Sequence, residues 1–188
     1  MFLAMDRTSA YELLCEFTQG EGLRKHGLAV EAVMRHFARK HGEDEETWAI
    51  TGLLHDFDYE RYPTEEGHPL EGSKVLRERG YPEHIVRAIL GHADYSGGPR
   101  DTLMARVLYA VDELTGFITA VALVRPNKRL DEVEPASVRK KMKDKAFARS
   151  VNRDDITKGA AELGVDLNAH IAEVIAAMRP VAAELGLG

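Results

Sequence analysis

Apolar residues recur along the chain at intervals of three and four positions, the spacing that places side chains on one face of an α-helix. The clearest example lies near the C-terminus, where the apolar positions are Ile171, Val174, Ile175, Met178, Val181 and Leu185. We find no segment in which apolar and polar residues alternate as they do in a half-buried strand. The pattern therefore predicts an all-α protein.

Glycines, prolines and capping residues interrupt the periodic segments and set the expected bounds of the helices. Asp44 and Asp166 are suitable N-cap residues, and Pro180 is expected to kink the last helix. The predicted helices cover about 8–19, 23–40, the segment from Asp44 to about 56, 69–80, 82–92, 101–124, a segment from Pro135, and one segment on each side of Gly164. No repeat, low-complexity tract or long linker divides them.

The composition is that of an ordinary soluble domain, with 188 residues, 44% of them hydrophobic and 30% charged. Cys15 is the single cysteine and is expected to be a small buried residue of the first helix. The first six residues lack the basic region and apolar run of a secretory signal, and no window approaches the roughly 20 apolar residues of a membrane span. We therefore expect a cytoplasmic protein that does not enter a membrane.

The charge is distributed unevenly along the chain. The segment 125–153, called the basic segment below, has ten basic and four acidic residues, although the whole chain has a net charge of −6. Such a segment can attract anions, but a solvated helix face would have the same composition. The acidic total and the absence of aromatic residues interleaved with the basic ones disfavour nucleic acid as a partner.

The pair His55-Asp56 ends the apolar stretch 48–54, which has the composition of a buried helix. An imidazole and a carboxylate are costly to place there unless they share a partner, and a divalent cation suits both. This donor set favours Mn, Fe, Co, Ni or Zn over Ca. Taken alone, the dipeptide is common, and a helix end with a solvated aspartate would explain it equally well.

Asp112 lies within a long, largely apolar predicted helix. Its neighbours three and four positions away are mostly small or apolar: Leu108, Tyr109, Thr115 and Gly116. An ionised carboxylate on such a face is unfavourable unless it pairs with an arginine or binds a metal. Asp112 is therefore a further candidate metal ligand.

Three other histidines lie at the ends of predicted helices, where side chains can converge on a cleft: His26, His68 and His92. The remaining four have polar surroundings or occupy faces that look exposed, and we expect them at the surface: His36, His41, His84 and His170.

The order of these residues resembles that of the HD-domain superfamily of metal-dependent phosphohydrolases, and in particular the small HDIG-type predicted hydrolases. The resemblance spans about 26–117 and includes the motifs Gly52-Leu53-Leu54-His55-Asp56 and Gly67-His68-Pro69-Leu70. The sequence departs from the subgroup directly after the His-Asp pair, because the His-Asp-Ile-Gly-Lys motif of that subgroup is here His55-Asp56-Phe57-Asp58-Tyr59. No role of that lysine can be transferred to Tyr59.

The resemblance implies a single-domain helical bundle of the HD-domain type over residues 1–188. Its motif core would cover about 23–124, with C-terminal helices at 135–186 packing on it.

The resemblance also implies a metal centre with one or two divalent ions, which would be Mn, Fe, Co, Ni, Zn or Mg. One ion would be held by His26, His55, Asp56 and Asp112. Asp56 would then bridge to a second ion, which would be held by His68 and His92.

The function implied is cleavage of a phosphate ester of a nucleotide or another small molecule by a metal-activated hydroxide. Asp56 is the catalytic residue on which both ions depend. Asp58 could orient the water or protonate the leaving group, although it could equally be a carboxylate of the turn. Basic residues such as Arg125, Lys140 and Lys143 could bind the phosphate.

Two alternatives remain open at this point. Some HD-fold oxygenases hold a di-iron pair with the same ligand order, so the order of the ligands does not distinguish oxidation from hydrolysis. A non-catalytic metal- or nucleotide-binding protein is the other alternative, because Tyr59 replaces the lysine of the subgroup. The sequence does not specify the substrate, the physiological metal or the oligomeric state.

Overall fold

The computed structural model describes residues 6–188, and this part of the chain is helical without a strand, as predicted. It divides into two compact units, one extending to Leu108 and the other from Tyr109 to Gly188. The organisation of the chain as a single domain stays a prediction.

The first unit contains five helices and the beginning of a sixth: α1 (Arg7–Phe17), α2 (Glu21–His41), α3 (Glu45–Leu54), α4 (Leu70–Glu78), α5 (Glu83–Gly91) and α6 (Leu103–Leu123), which continues into the second unit. The expected N-cap of α3 is confirmed, because the Asp44 carboxylate accepts a hydrogen bond from the Thr47 amide at 2.8 Å. Pro69 and Pro82 precede α4 and α5 by one residue and do not occupy their first positions. Among residues 6–188 no helix is long and apolar enough to cross a membrane.

Two glycines allow α2 and α3 to approach closely. A Cβ on Gly27 of α2 would lie 3.0 Å from the carbonyl oxygen of Leu53. A Cβ on Gly52 of α3 would lie 2.9 Å from both the Val30 carbonyl oxygen and the Met34 Cγ. Larger side chains would separate the two backbones, so the glycines keep the end of α3 beside the N-terminal half of α2.

The turn that follows α3 is attached to the connection between α1 and α2. The Thr18 hydroxyl, which is fully buried, donates a hydrogen bond to the Phe57 carbonyl at 2.8 Å. Further along the turn, the Glu60 carboxylate accepts hydrogen bonds from the Gln19 and Gly20 amides. These contacts fix the backbone of the segment that contains Asp56 and Asp58.

An ion pair between a buried glutamate and a half-buried arginine joins α1 and α2. Glu31 is buried, and its carboxylate accepts hydrogen bonds from the Arg7 guanidinium at 2.9 and 3.1 Å. Arg35, one turn further along α2, lies 3.6 Å from the same carboxylate. The sequence did not predict that Glu31 would be buried and paired, because it is one of many charged residues on α2.

The second unit contains the rest of α6 and four further helices: α7 (Pro135–Met142), α8 (Arg153–Glu162), α9 (Leu167–Met178) and α10 (Ala182–Leu185). Asp166 caps α9 as predicted, accepting from the Ala169 amide at 2.9 Å. The predicted apolar stripe is buried except at Val181, which is half-buried. Pro180 lies in a short 3₁₀ segment, Arg179–Val181, so the predicted kinked helix is two helices.

Two expectations about individual side chains were wrong. His170 is not a surface residue but is buried, and its Nε2 lies 3.0 Å from the Ala110 carbonyl oxygen, to which it donates. Cys15 is half-buried. The other three histidines expected at the surface are exposed (His41 and His84) or half-buried (His36).

Candidate metal centre

Four imidazole rings of the first unit surround the Asp56 carboxylate. One of its oxygens, Oδ2, lies 3.5 Å from His55 Nε2 and 3.8 Å from His26 Nε2. The other, Oδ1, lies 3.2 Å from His68 Nε2 and 3.3 Å from His92 Nε2. Each oxygen therefore faces its own pair of histidines. We call these five side chains the Asp56 centre.

The five residues come from four separate places in the fold. His26 lies on the second turn of α2, deeper in the helix than predicted because α2 begins at Glu21. His55 and His92 are the C-cap residues of α3 and α5, and His68 lies in the turn before α4. Adjacent helical residues point about 100° apart, but His55 and Asp56 lie beyond the last residue of α3, where both can face one point.

Backbone carbonyls orient two of the rings. The Nδ1 of His55 donates to the Gly52 carbonyl at 2.7 Å, and the Nδ1 of His92 donates to the Ile89 carbonyl at 2.5 Å. Because a carbonyl can only accept, the proton of each neutral ring is on Nδ1. In this neutral form, which a metal ligand requires, the Nε2 lone pair of each ring faces Asp56.

A buried carboxylate orients the third ring. Asp58, which is only 1% exposed, lies with its Oδ1 2.7 Å from His68 Nδ1. Its other oxygen accepts a hydrogen bond from the Gly72 amide at 2.8 Å, and a Cβ on Gly72 would lie 2.5 Å from this carboxyl group. A carboxylate behind a ligating histidine fixes the ring and raises its basicity. The contact found for Asp58 is thus with His68, and its role at the water or the leaving group stays a prediction.

The arrangement of nitrogen atoms fits a bound cation. The Nε2 atoms of His68 and His92 lie 3.2 Å apart and both face Asp56 Oδ1. If both rings were neutral, with their protons on Nδ1, the Nε2 lone pairs of His68 and His92 would point at each other and repel. Water would screen this repulsion little, because the two side chains are only 3% and 5% exposed. A positive charge between them, either a proton or a metal ion, removes this repulsion. The potential ligand atoms of Asp56, His68 and His92 all lie within 4.8 Å of one another, as do those of His26, His55 and Asp56.

Protonation of the histidines competes with a cation at the centre. Burial alone would raise the pKa of Asp56, but the charge and the hydrogen bonds of protonated imidazoles, first of all that of His55, lower it well below its usual value. Burial would lower the pKa of His68, yet hydrogen bonds to Asp56 and Asp58 raise it to about 9. A proton on His68 therefore balances the carboxylates in the metal-free protein. An entering cation must displace it, so metal uptake releases protons and weakens as the pH falls.

The other predicted site residues belong to the second unit. Asp112 is half-buried on α6, and Arg125 is half-buried just beyond that helix. Lys140 on α7 and Lys143, the C-cap of that helix, are exposed. The roles of Asp112 as a ligand and of the three basic residues in phosphate binding stay predictions.

Comparison with known families gives one finding for this chain. A family model described as the HD domain matches residues 23–116, which is half of the sequence. No curated protein and no solved structure gives a significant match. All five residues of the Asp56 centre lie within the matched range.

Proposed function

This chain belongs to the HD domain family, and from that membership we propose that it is a metal-dependent phosphohydrolase acting on a phosphate ester of a nucleotide or another small molecule. HD domains are mostly metal-dependent hydrolases and bind divalent metals. The observation that supports the proposal most strongly is the position of Asp56, whose two oxygens face two separate pairs of histidines.

We assign the residues of the centre to two ions. His26, His55 and Asp56 would hold one ion, and Asp56, His68 and His92 would hold the other. Divalent ions in these positions would stabilise negative charge on the phosphoryl oxygens and lower the pKa of a water molecule.

The protein itself would hold the histidine rings in a fixed orientation within a largely buried site. Hydrogen bonds from the Nδ1 atoms to the Gly52 and Ile89 carbonyls and to Asp58 hold three rings with their Nε2 atoms toward Asp56. This orientation exists before a substrate binds, so little reorganisation is needed. Asp56 is 20% exposed, and a substrate phosphate can approach the centre from this side.

The experiment that tests the proposal begins with metal analysis of protein purified without added metal. We expect one or two divalent ions per chain. Removing them with a chelator should abolish phosphate release from a panel of phosphomonoesters and phosphodiesters, and adding Mn, Co, Ni or Mg should restore it. Two irons per chain with no phosphate release from any ester would contradict the proposal and would favour the di-iron oxygenase alternative.

A further inference from the structure

Three large apolar side chains of the first unit are exposed, and each follows a residue of the Asp56 centre closely in the sequence. Tyr59 is 46% exposed and lies three residues after Asp56. Leu70 is 36% exposed and lies two residues after His68, and Tyr95 is 47% exposed and lies three residues after His92. The other exposed large apolar side chains of the described part of the chain are in the second unit: Leu123, Val124 and Val165. Among the described residues of the first unit, the exposed large apolar side chains are therefore all close in sequence to residues of the centre.

The ring of Tyr59 is in direct contact with the centre. It packs edge-to-face against the His68 ring, with the centroids 5.2 Å apart and the planes at 85°. The Tyr59 side chain therefore lies next to a proposed ligand while almost half of its surface remains in contact with solvent.

Local contacts hold the backbone of Tyr95 in place. Tyr95 is the middle residue of the short 3₁₀ segment Asp94–Ser96, which follows α5. The Ser96 hydroxyl donates to the Leu90 carbonyl at 2.5 Å. The Arg100 guanidinium donates to the Asp94 carboxylate at 2.6 Å and to the carbonyl of Gly91 at 3.0 Å. The exposure of Tyr95 is thus a feature of a fixed turn.

The two tyrosines flank one pair of adjoining histidine rings. The His68 ring, which Tyr59 contacts, packs on the His92 ring with the centroids 5.1 Å apart, and the short segment that contains Tyr95 begins two residues after His92. Burial and then the negative charge of Asp56 raise the pKa of Tyr95 to about 12, with smaller effects from Tyr59 and Glu65, which agrees with this placement.

We propose that Tyr59 and Tyr95 form an aromatic subsite that binds the base of a nucleoside monophosphate while its phosphate lies at the Asp56 centre. The position of the phosphate at the Asp56 centre rests on the proposed function. Exposed phenol rings stack on planar bases, and such stacking tolerates different bases. The substrate class favoured is therefore a phosphate ester that carries a planar aromatic base, and a nucleoside monophosphate is the simplest of these.

The experiment compares adenosine 5′-monophosphate with ribose 5-phosphate, which has the same phosphate ester without a base. Tyr59→Leu and Tyr95→Leu should each lower kcat/KM for the nucleotide about 10-fold and leave that for ribose 5-phosphate within about 2-fold, the size expected for loss of one stacked ring. Tyr59→Phe and Tyr95→Phe keep the ring and should retain the preference. Tyr11→Leu on α1 is the matched control and should leave kcat/KM unchanged for both substrates. An equal loss with both substrates, or no loss with either, would overturn the subsite.

A binding measurement separates this inference from the proposed function. Adenosine has no phosphate, so its binding, measured by calorimetry with metal-free and Mn-loaded protein, does not depend on turnover. We expect binding that the leucine variants weaken and the phenylalanine variants retain. If no ester is hydrolysed but adenosine binds in this way, the subsite stands and the proposed function fails. If esters are hydrolysed but adenosine does not bind, the subsite is wrong and the proposed function stands.

Discussion

The Asp56 centre and the basic segment both concentrate charged residues, but they organise them in opposite ways. At the centre, four imidazoles lie 3.2 to 3.8 Å from one carboxylate, and partners such as Asp58 fix their orientation. In the basic segment Lys140 and Lys143 extend into solvent, and the Arg153 guanidinium donates to the nearby Ala148 and Val151 carbonyls. Convergence of side chains with a fixed orientation, more than the number of charges, is therefore what distinguishes the candidate metal centre from a charged surface.

The largest effect is expected for Asp56→Ala, because both proposed ions use this carboxylate. Metal content should fall below half an ion per chain, and kcat/KM should fall by more than about 1000-fold. Metal analysis and the phosphate-release assay measure the two quantities. Asp101→Ala removes an exposed carboxylate paired with Arg87 and should behave like the wild type. A metal-replete Asp56→Ala protein with normal activity would refute the assignment of the centre.

The next largest effect is expected for Asp58→Ala, because this carboxylate orients His68. Affinity for the second ion should fall about 10- to 100-fold, the usual effect of losing the partner of a ligating histidine. Titration of metal-free protein with Mn, followed by calorimetry, measures this affinity. If both ions bind normally and only turnover is lost, Asp58 acts at the water or the leaving group, which is one of the two roles that the sequence left open, and its contact with His68 is secondary.

A smaller effect is expected from the basic segment. The double variant Lys140→Ala/Lys143→Ala should raise KM about 2- to 5-fold at low salt and leave kcat unchanged, because exposed charges attract anions over distance. The difference from the wild type should disappear near 0.5 M salt, where the Debye length is only about 4 Å. Lys40→Ala, outside the segment, is the control. A loss of kcat that persists at high salt would show that these lysines act directly on bound substrate.

The smallest effect on activity is expected for His170→Ala, although this histidine is as deeply buried as His68. Its Nε2 donates to the Ala110 carbonyl, so its loss should lower the free energy of unfolding by about 2 kcal/mol through a cavity and a lost hydrogen bond. Chemical denaturation measures this change, and metal content should stay at the wild-type value. Loss of metal from this variant would mean that burial alone does not separate structural from ligating histidines here.

Local patterns in the sequence predicted most of the helices. The caps Asp44 and Asp166 were correct because an N-cap depends on residues three positions apart. The family resemblance, and not periodicity, suggested that His26, His55, His68 and His92 act together with Asp56; the structure brings these side chains together, and their role as metal ligands stays a prediction.

Contacts between distant residues were not predictable in this way. The link between Asp58 and Gly72 spans 14 residues, and the hydrogen bond from His170 to Ala110 spans 60. Periodicity places a polar residue at the surface unless a buried hydrogen-bond partner is known, so it wrongly predicted an exposed His170. The Ala110 carbonyl comes within reach of His170 only when the helices pack together.

The glycines at the contact between α2 and α3 have a consequence for the evolution of the centre. Gly27 follows His26 directly, and the carbonyl of Gly52 accepts the hydrogen bond from His55. Because a methyl group at either glycine would press on the backbone of the opposite helix, the separation of these two histidines is determined by helix packing. A single alanine substitution could therefore adapt the pocket to an ion of another radius while every ligand is retained.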